Sequence, residues 1–236
     1  MVRSNTYRLF FIIIIICSLI ASALTRTAFQ VMKDDPLAKV YSTSFLEYHH
    51  FNYAMGILSS EKNNILQNVS QDTYKLIIHQ MKFTILATDL VNHFKARDKF
   101  RKELLEAKFD KENSHHRELL CEAIMTCCDI SSAAMPFKVN YAITKTIYDE
   151  FFQQGDEEKA LGKVPNPTMD RENAVIPQQQ LSFVDHIAAV AFKNLSDFFP
   201  EFKFLLDQVF ENRKTWEGLQ NTPNGVLQGP VYLPTH

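Results

Sequence analysis

The stretch SQDTYKLIIHQMKFTILATDL, residues 70–90, decides the fold class. Tyr74, Ile77, Ile78, Met81, Ile85 and Leu86 recur at three- and four-residue spacing, the period that puts side chains on one helical face. The face continues to Leu90 and Phe94. Ser70 stands where a helix N-cap is expected, its hydroxyl free to accept from the first-turn amides. The pattern extends in both directions. Phe45, Tyr48, Phe51, Met55 and Leu58 predict a helix upstream, and Leu119, Leu120, Ala123, Ile124 and Cys127 another downstream. A further helix is expected over Val139–Phe152. Another starts at Pro177, suited to a first helical position, and runs through QQQLSFVDHIAAVAFKNL. The last covers Phe198–Leu219, interrupted only near Pro200. The sequence has 19 Phe and 6 Gly in 236 residues, which favours helices over short strands and tight turns. An all-α fold follows.

The long loop from about Gly155 to Ile176, GKVPNPTMDRENAVIP at its centre, is broken by prolines, and loops of that length are often functional. The tail 220–236, rich in Pro and Gly, is expected to be disordered. The net charge of −2 gives no reason to propose nucleic acid as a partner. Cys17, Cys121, Cys127 and Cys128 form no C-x-x-C pair and read as buried thiols of a reducing compartment. The N-terminus reads otherwise. Residues 1–24 carry Arg3 and Arg8 and then run apolar from Leu9 to Leu24. That run is at the short edge for a membrane anchor, which needs roughly 17 residues or more. It equally fits a signal peptide, with Ala21-Ser22-Ala23 as the cleavage site. Membrane contact through 9–24 and secretion are both open readings. Asn68 and Asn194 head sequons that only a lumenal chain would use, and neither is expected to carry glycan.

Six segments then narrow the function: PLAKVYSTSFLEYHH, ILATDL, MTCCDISSAAMPF, DEFFQQGDEEKALG, PNPTMDREN and IPQQQLSFVDHI. Their order and spacing resemble the catalytic domain of class I 3',5'-cyclic-nucleotide phosphodiesterases, most of all the branch with GAF domains. The resemblance covers residues 25–219, as a partial, N-terminally truncated domain. It implies a multi-helix bundle of the HD type around two metal ions, zinc and magnesium. In the family a bridging hydroxide attacks the cyclic phosphate of cAMP or cGMP and a histidine protonates the leaving oxygen. The resemblance implies that Asp129 is a direct metal ligand. It also implies that Glu47, Thr88 and Asp89 hold metal-bound waters. Gln180 would read the purine edge, since a carboxamide both donates and accepts, and Phe183 would stack on the base. Ile147 would face Phe183 as the other jaw, with Leu90 as a further apolar wall. A cytoplasmic catalytic region goes with the resemblance.

Adjacent His49 and His50 point about 100° apart on a helix, so they are read as part of the helix that delivers Glu47, not as ligands. The family's H-N-x-x-H and H-D-x-x-H motifs are absent, and the apolar run stands where the second should fall, at about Ser18–Ser22. No catalytic histidine is assigned. The expectation is a family member inactive by itself. Alternatives are a noncatalytic nucleotide- or partner-binding relative, or a secreted or membrane-anchored helical protein. Apolar faces left without family partners would also favour homo-oligomers. Ala134-Met135-Pro136-Phe137 and Thr168 depart from the family's pattern, and the sequence does not choose between cAMP and cGMP.

Overall fold

The computed structural model of the protein describes residue 40, residues 44–89 and residues 97–220. The apolar N-terminal segment, Leu90, Phe94 and the tail beyond Gln220 lie outside the described residues. Among the described residues every regular element is helical, and the chain divides into two compact units, the first ending at Asp129 and the second beginning at Ile130.

The first unit contains α1 (Phe45–Ser59), a 3-10 turn Glu61–Asn63, α2 (Gln71–Leu86), a π-helical segment Phe100–Glu106 and α3 (Ser114–Asp129). Ser70 caps α2 as expected, its hydroxyl accepting from the Thr73 amide at 3.3 Å, a contact typically worth about 1 kcal/mol. The apolar spacing of α2 brings Ile77, Ile78, Met81 and Ile85 against Phe51, Ala54 and Leu58 of α1 and Met125 of α3. Full burial of each such side chain contributes about 1.5–3 kcal/mol. The helix predicted to run on to Phe94 ends at Leu86. Ala87 caps it, and the Thr88 and Asp89 amides fold back in tight turns onto Ile85 and Leu86. Asn113 starts α3, its side-chain oxygen accepting from the His115 amide at 3.0 Å.

The second unit contains a 3-10 turn Ser131–Ala134, then α4 (Phe137–Ala160) and α5 (Ile176–Phe183). A π-helical turn Val184–Ala188, α6 (Ala189–Phe198), a 3-10 turn Pro200–Phe202 and α7 (Lys203–Gly218) follow. Three boundaries differ from expectation. α4 continues to Ala160, so Gly155 is helical and the loop is 161–175. The helix expected from Pro177 starts one residue earlier and runs unbroken through the π turn to Phe198. The last helix begins at Lys203, because Pro200 forces Phe199 into an extended backbone.

Trp216 of α7, fully buried, is the centre of this unit. It shares a core with Tyr148, Ile176 and Leu181, with Phe137 and Tyr141 packed against it. Its indole N–H donates to Asn140 Oδ1 at 2.9 Å, and Asn140 in turn donates to the Ser132 carbonyl at 3.1 Å. Asn212, one helical turn earlier, donates both amide hydrogens, to the carbonyls of Ala133 and Met135 at 2.8 and 2.7 Å. α7 thus fixes the turn that leads into α4. The 161–175 loop is tied to the C-terminal half of α4. Met169 is buried there against Gln154, Lys159 grips Asp170 and Glu172, and Arg171 pairs with Asp156. No described helix is long and apolar enough to cross a membrane.

Candidate functional site

The expected outer-shell groups lie on α1 and in the turn after α2. Glu47, on the first turn of α1, is 4% exposed. Burial raises its carboxyl above the usual range, its own backbone amide opposes this, and the negative charge of Asp89 adds to it. Asp129 ends α3. Burial, followed by the charge of Glu47, pushes its carboxyl up to about 7. Its Oδ1 is buried with no hydrogen-bond partner. Glu47 thus feels the charge of Asp89, and Asp129 that of Glu47, and a like charge nearby favours the protonated form of a buried carboxyl. Ser44 joins them. Its backbone takes the left-handed conformation, φ 45°, and its hydroxyl caps nothing on α1. It donates instead to Asp89 Oδ2 at 2.6 Å. Thr88 is buried, its hydroxyl donating to the Ile85 carbonyl at 2.7 Å.

A buried carboxylate oxygen without a donor is suited to a cation or a proton. Yet among the described residues no three His, Cys, Asp or Glu side chains are grouped so as to hold a metal ion. A catalytic zinc site usually has three protein ligands. The donors among the described residues do not complete such a centre. His49 and His50 do not supply the shortfall. Their rings are 6.2 Å apart, His50 Nδ1 is buried without a partner, and burial, then the neighbouring His49, lowers the His50 pKa. Of the cysteines expected to be buried, Cys127 is buried, Cys121 and Cys128 are half-buried, and Cys17 lies outside the described residues. Cys121, Cys127 and Cys128 are free, and burial raises each thiol, Cys128 to about 11 with Asp129 adding to the shift.

The expected base-reading residues lie in the second unit. Gln180 and Phe183 stand three apart on α5, both half-buried, and Ile147 is half-buried on α4. The π turn begins at Val184, immediately after Phe183, and such insertions are frequent at functional sites. Tyr148, which pattern reading passed over, touches this group directly. Its phenol is hydrogen-bonded to the Gln180 side chain, while burial pushes its pKa up to about 12 against that bond. Nothing in the local pattern distinguishes Tyr148 from any other aromatic on the apolar face of α4. Ser44 was missed for the same reason, since its partner is 45 residues away. Leu90 lies outside the described residues.

The 3'5'-cyclic nucleotide phosphodiesterase family matches residues 24–209. The cGMP-specific 3',5'-cyclic phosphodiesterases of Drosophila virilis and Drosophila melanogaster are each 39% identical to this chain over 197 residues, 83% of its length. The chain covers 22% and 18% of those relatives, about a fifth of their length. A match over most of the chain, on an all-helical fold, agrees with the resemblance carried by the six segments. The chain belongs to the 3'5'-cyclic nucleotide phosphodiesterase family.

Proposed function

We propose that this chain provides the purine-reading part of a cyclic-nucleotide site, with cGMP the first ligand to test and cAMP the second. The Gln180–Tyr148 hydrogen bond carries this reading. An amide steadied by a phenol rooted in the core offers a donor and an acceptor to a purine edge at small entropic cost. Phe183 supplies the stacking face and Ile147 the opposing apolar wall. The cGMP-specific names of the relatives set the order of the two nucleotides.

Hydrolysis to the 5'-monophosphate is the family's reaction, and a divalent pair is what it calls for. In this reading Asp129 is the direct ligand, and Glu47, Thr88 and Asp89 hold waters around it. The histidine ligands and the histidine acid are not among these residues, so the reading assigns binding to the chain and turnover only to an assembly that adds those groups.

Titrating the full chain with a fluorescent cGMP analogue tests the binding. Saturable binding is expected, and Gln180→Ala should weaken it about five- to ten-fold, the worth of one or two hydrogen bonds. Absence of saturable binding, or affinity indifferent to Gln180→Ala, would refute the reading.

A further inference from the structure

Gln180 is not the only amide beside Phe183. Residues three and four apart are neighbours on a helix surface, and a helical side chain leans over the turn before its own Cα. Phe183 follows Gln180 by three residues and Gln179 by four, so on α5 it adjoins both. One turn earlier Ile176, 3% exposed, stands behind both and shares the core of Tyr148, Leu181 and Trp216. The two glutamines are half-buried, whereas Gln178 is exposed. They differ in their partners. The Gln180 side chain is hydrogen-bonded to the Tyr148 phenol. Gln179 Oε1 is buried and has no hydrogen-bond partner. The large majority of buried side-chain oxygens are satisfied, and each exception calls for a reason. The backbone supplies none, since the Gln179 amide donates to the Val175 carbonyl at 3.1 Å and the helix is regular there.

We propose that Gln179 is a second base-reading residue, whose side-chain oxygen accepts from the exocyclic 2-amino group of guanine. This rests on the purine-reading role given above to Gln180 and Phe183. The guanine edge presents three groups in a row: the O6 acceptor, the N1–H donor and the 2-amino donor. One carboxamide, with a single donor side and a single acceptor side, engages the first two. The third group then needs an acceptor from another residue beside the stacking ring. Gln179 is the neighbour of Phe183 that has one free. Adenine carries a C–H where guanine carries the 2-amino group, so the bond forms with cGMP and not with cAMP.

The burial of Gln179 is what makes this bond selective. Its oxygen has already given up water in the free chain, so the desolvation belongs to folding and not to binding. A nucleotide that brings a donor gains a hydrogen bond, and one without a donor leaves the oxygen as it was. Discrimination is therefore a gain for guanine of the size of one hydrogen bond. Gln180 alone does not make this choice, because a carboxamide turned over offers the complementary pair of groups to adenine. The second acceptor does.

Competition of cGMP and of cyclic inosine monophosphate against the fluorescent cGMP analogue, on the full chain, tests the proposal. The inosine nucleotide keeps the O6 and N1–H of cGMP and lacks only the 2-amino group. The parent chain is expected to bind cGMP about five- to ten-fold more tightly than the inosine nucleotide. Gln179→Met keeps the length and helix propensity of the side chain without its oxygen, and should bring the two affinities together. Gln179→Leu repeats this arm should Gln179→Met not fold. Gln180→Ala removes contacts that both nucleotides share, and should weaken both while keeping the difference between them. Equal affinities in the parent, or a difference that persists without the Gln179 amide, overturn the role of Gln179 and leave that of Gln180 standing. Failure of the analogue to bind the parent at all overturns both.

Discussion

At the scale of single residues, the carboxyl groups of the first unit carry the clearest consequence. Glu122 is half-buried, and burial lifts its carboxyl to about 7 from an ordinary value of 4.5, with Lys99 and His115 opposing. A folded-state value above the unfolded one means that the folded chain binds the proton more tightly. The stability contribution is therefore complete below about pH 4.5 and is lost as pH rises through about 7. Above that range folding must keep a charge out of bulk water. Glu122→Gln should raise stability by about 1–2 kcal/mol at about pH 8, after discounting for solvent screening, and change little at about pH 5. Urea unfolding at the two values checks this, and a variant that gains equally at both would refute it. Asp129 was legible in the sequence because an acid ending an apolar helical run needs a partner. Ser44 and Tyr148 were not, because each acquires its role from a partner that only the folded chain brings near.

At the scale of elements, periodicity located the helices and misjudged their ends. The apolar spacing of α2 and of α5 through α6 was readable because burial selects it. Where the spacing ran beyond the helix, as after Leu86, the backbone turned at Thr88 and Asp89, and no side-chain pattern announces that. The extent of α4 was missed because the prolines that break the following loop, Pro165 and Pro167, lie several residues beyond the helix end at Ala160. Within that helix Gly155 is required by contact. A Cβ there would sit 2.0 Å from the Met169 carbonyl oxygen and 2.8 Å from its carbon. That carbonyl belongs to a loop held by Met169, Lys159 and Arg171, so it has little room to retreat. Gly155→Ala sets a helix-propensity gain of about 1 kcal/mol against this clash. Overpacking commonly costs about 1–3 kcal/mol, and a backbone obstacle puts this site at the upper end. A net loss of about 1–2 kcal/mol is expected in urea unfolding. A variant more stable than the parent would mean that the loop does not lie against α4.

At the scale of the whole molecule, the family was legible from six collinear segments, whereas the catalytic capacity of the chain is a question of donor count. The family's chemistry needs an activated hydroxide and a proton for the leaving oxygen. Generating hydroxide near neutral pH takes a metal held by several protein ligands, and the general acid must reach the leaving group by a hydrogen bond. Asp129 offers one carboxylate, and burial, followed by the charge of Glu47, raises its pKa. A carboxyl pushed up to about 7, as that of Asp129 is, is a poor competitor for zinc, because the metal must first displace its proton. The proposed base recognition has no such dependence, since Gln180, Phe183 and Ile147 would act through hydrogen bonding and apolar contact. Binding and turnover should therefore separate in this chain. Purified full chain supplied with zinc and magnesium is expected to hydrolyse neither cGMP nor cAMP above background, while still binding the fluorescent cGMP analogue. An Asp129→Ala variant is the control, because it removes the one proposed direct ligand and leaves the proposed base readers in place. Turnover in the parent that vanishes in Asp129→Ala would show that donors beyond those recognised here complete the metal centre.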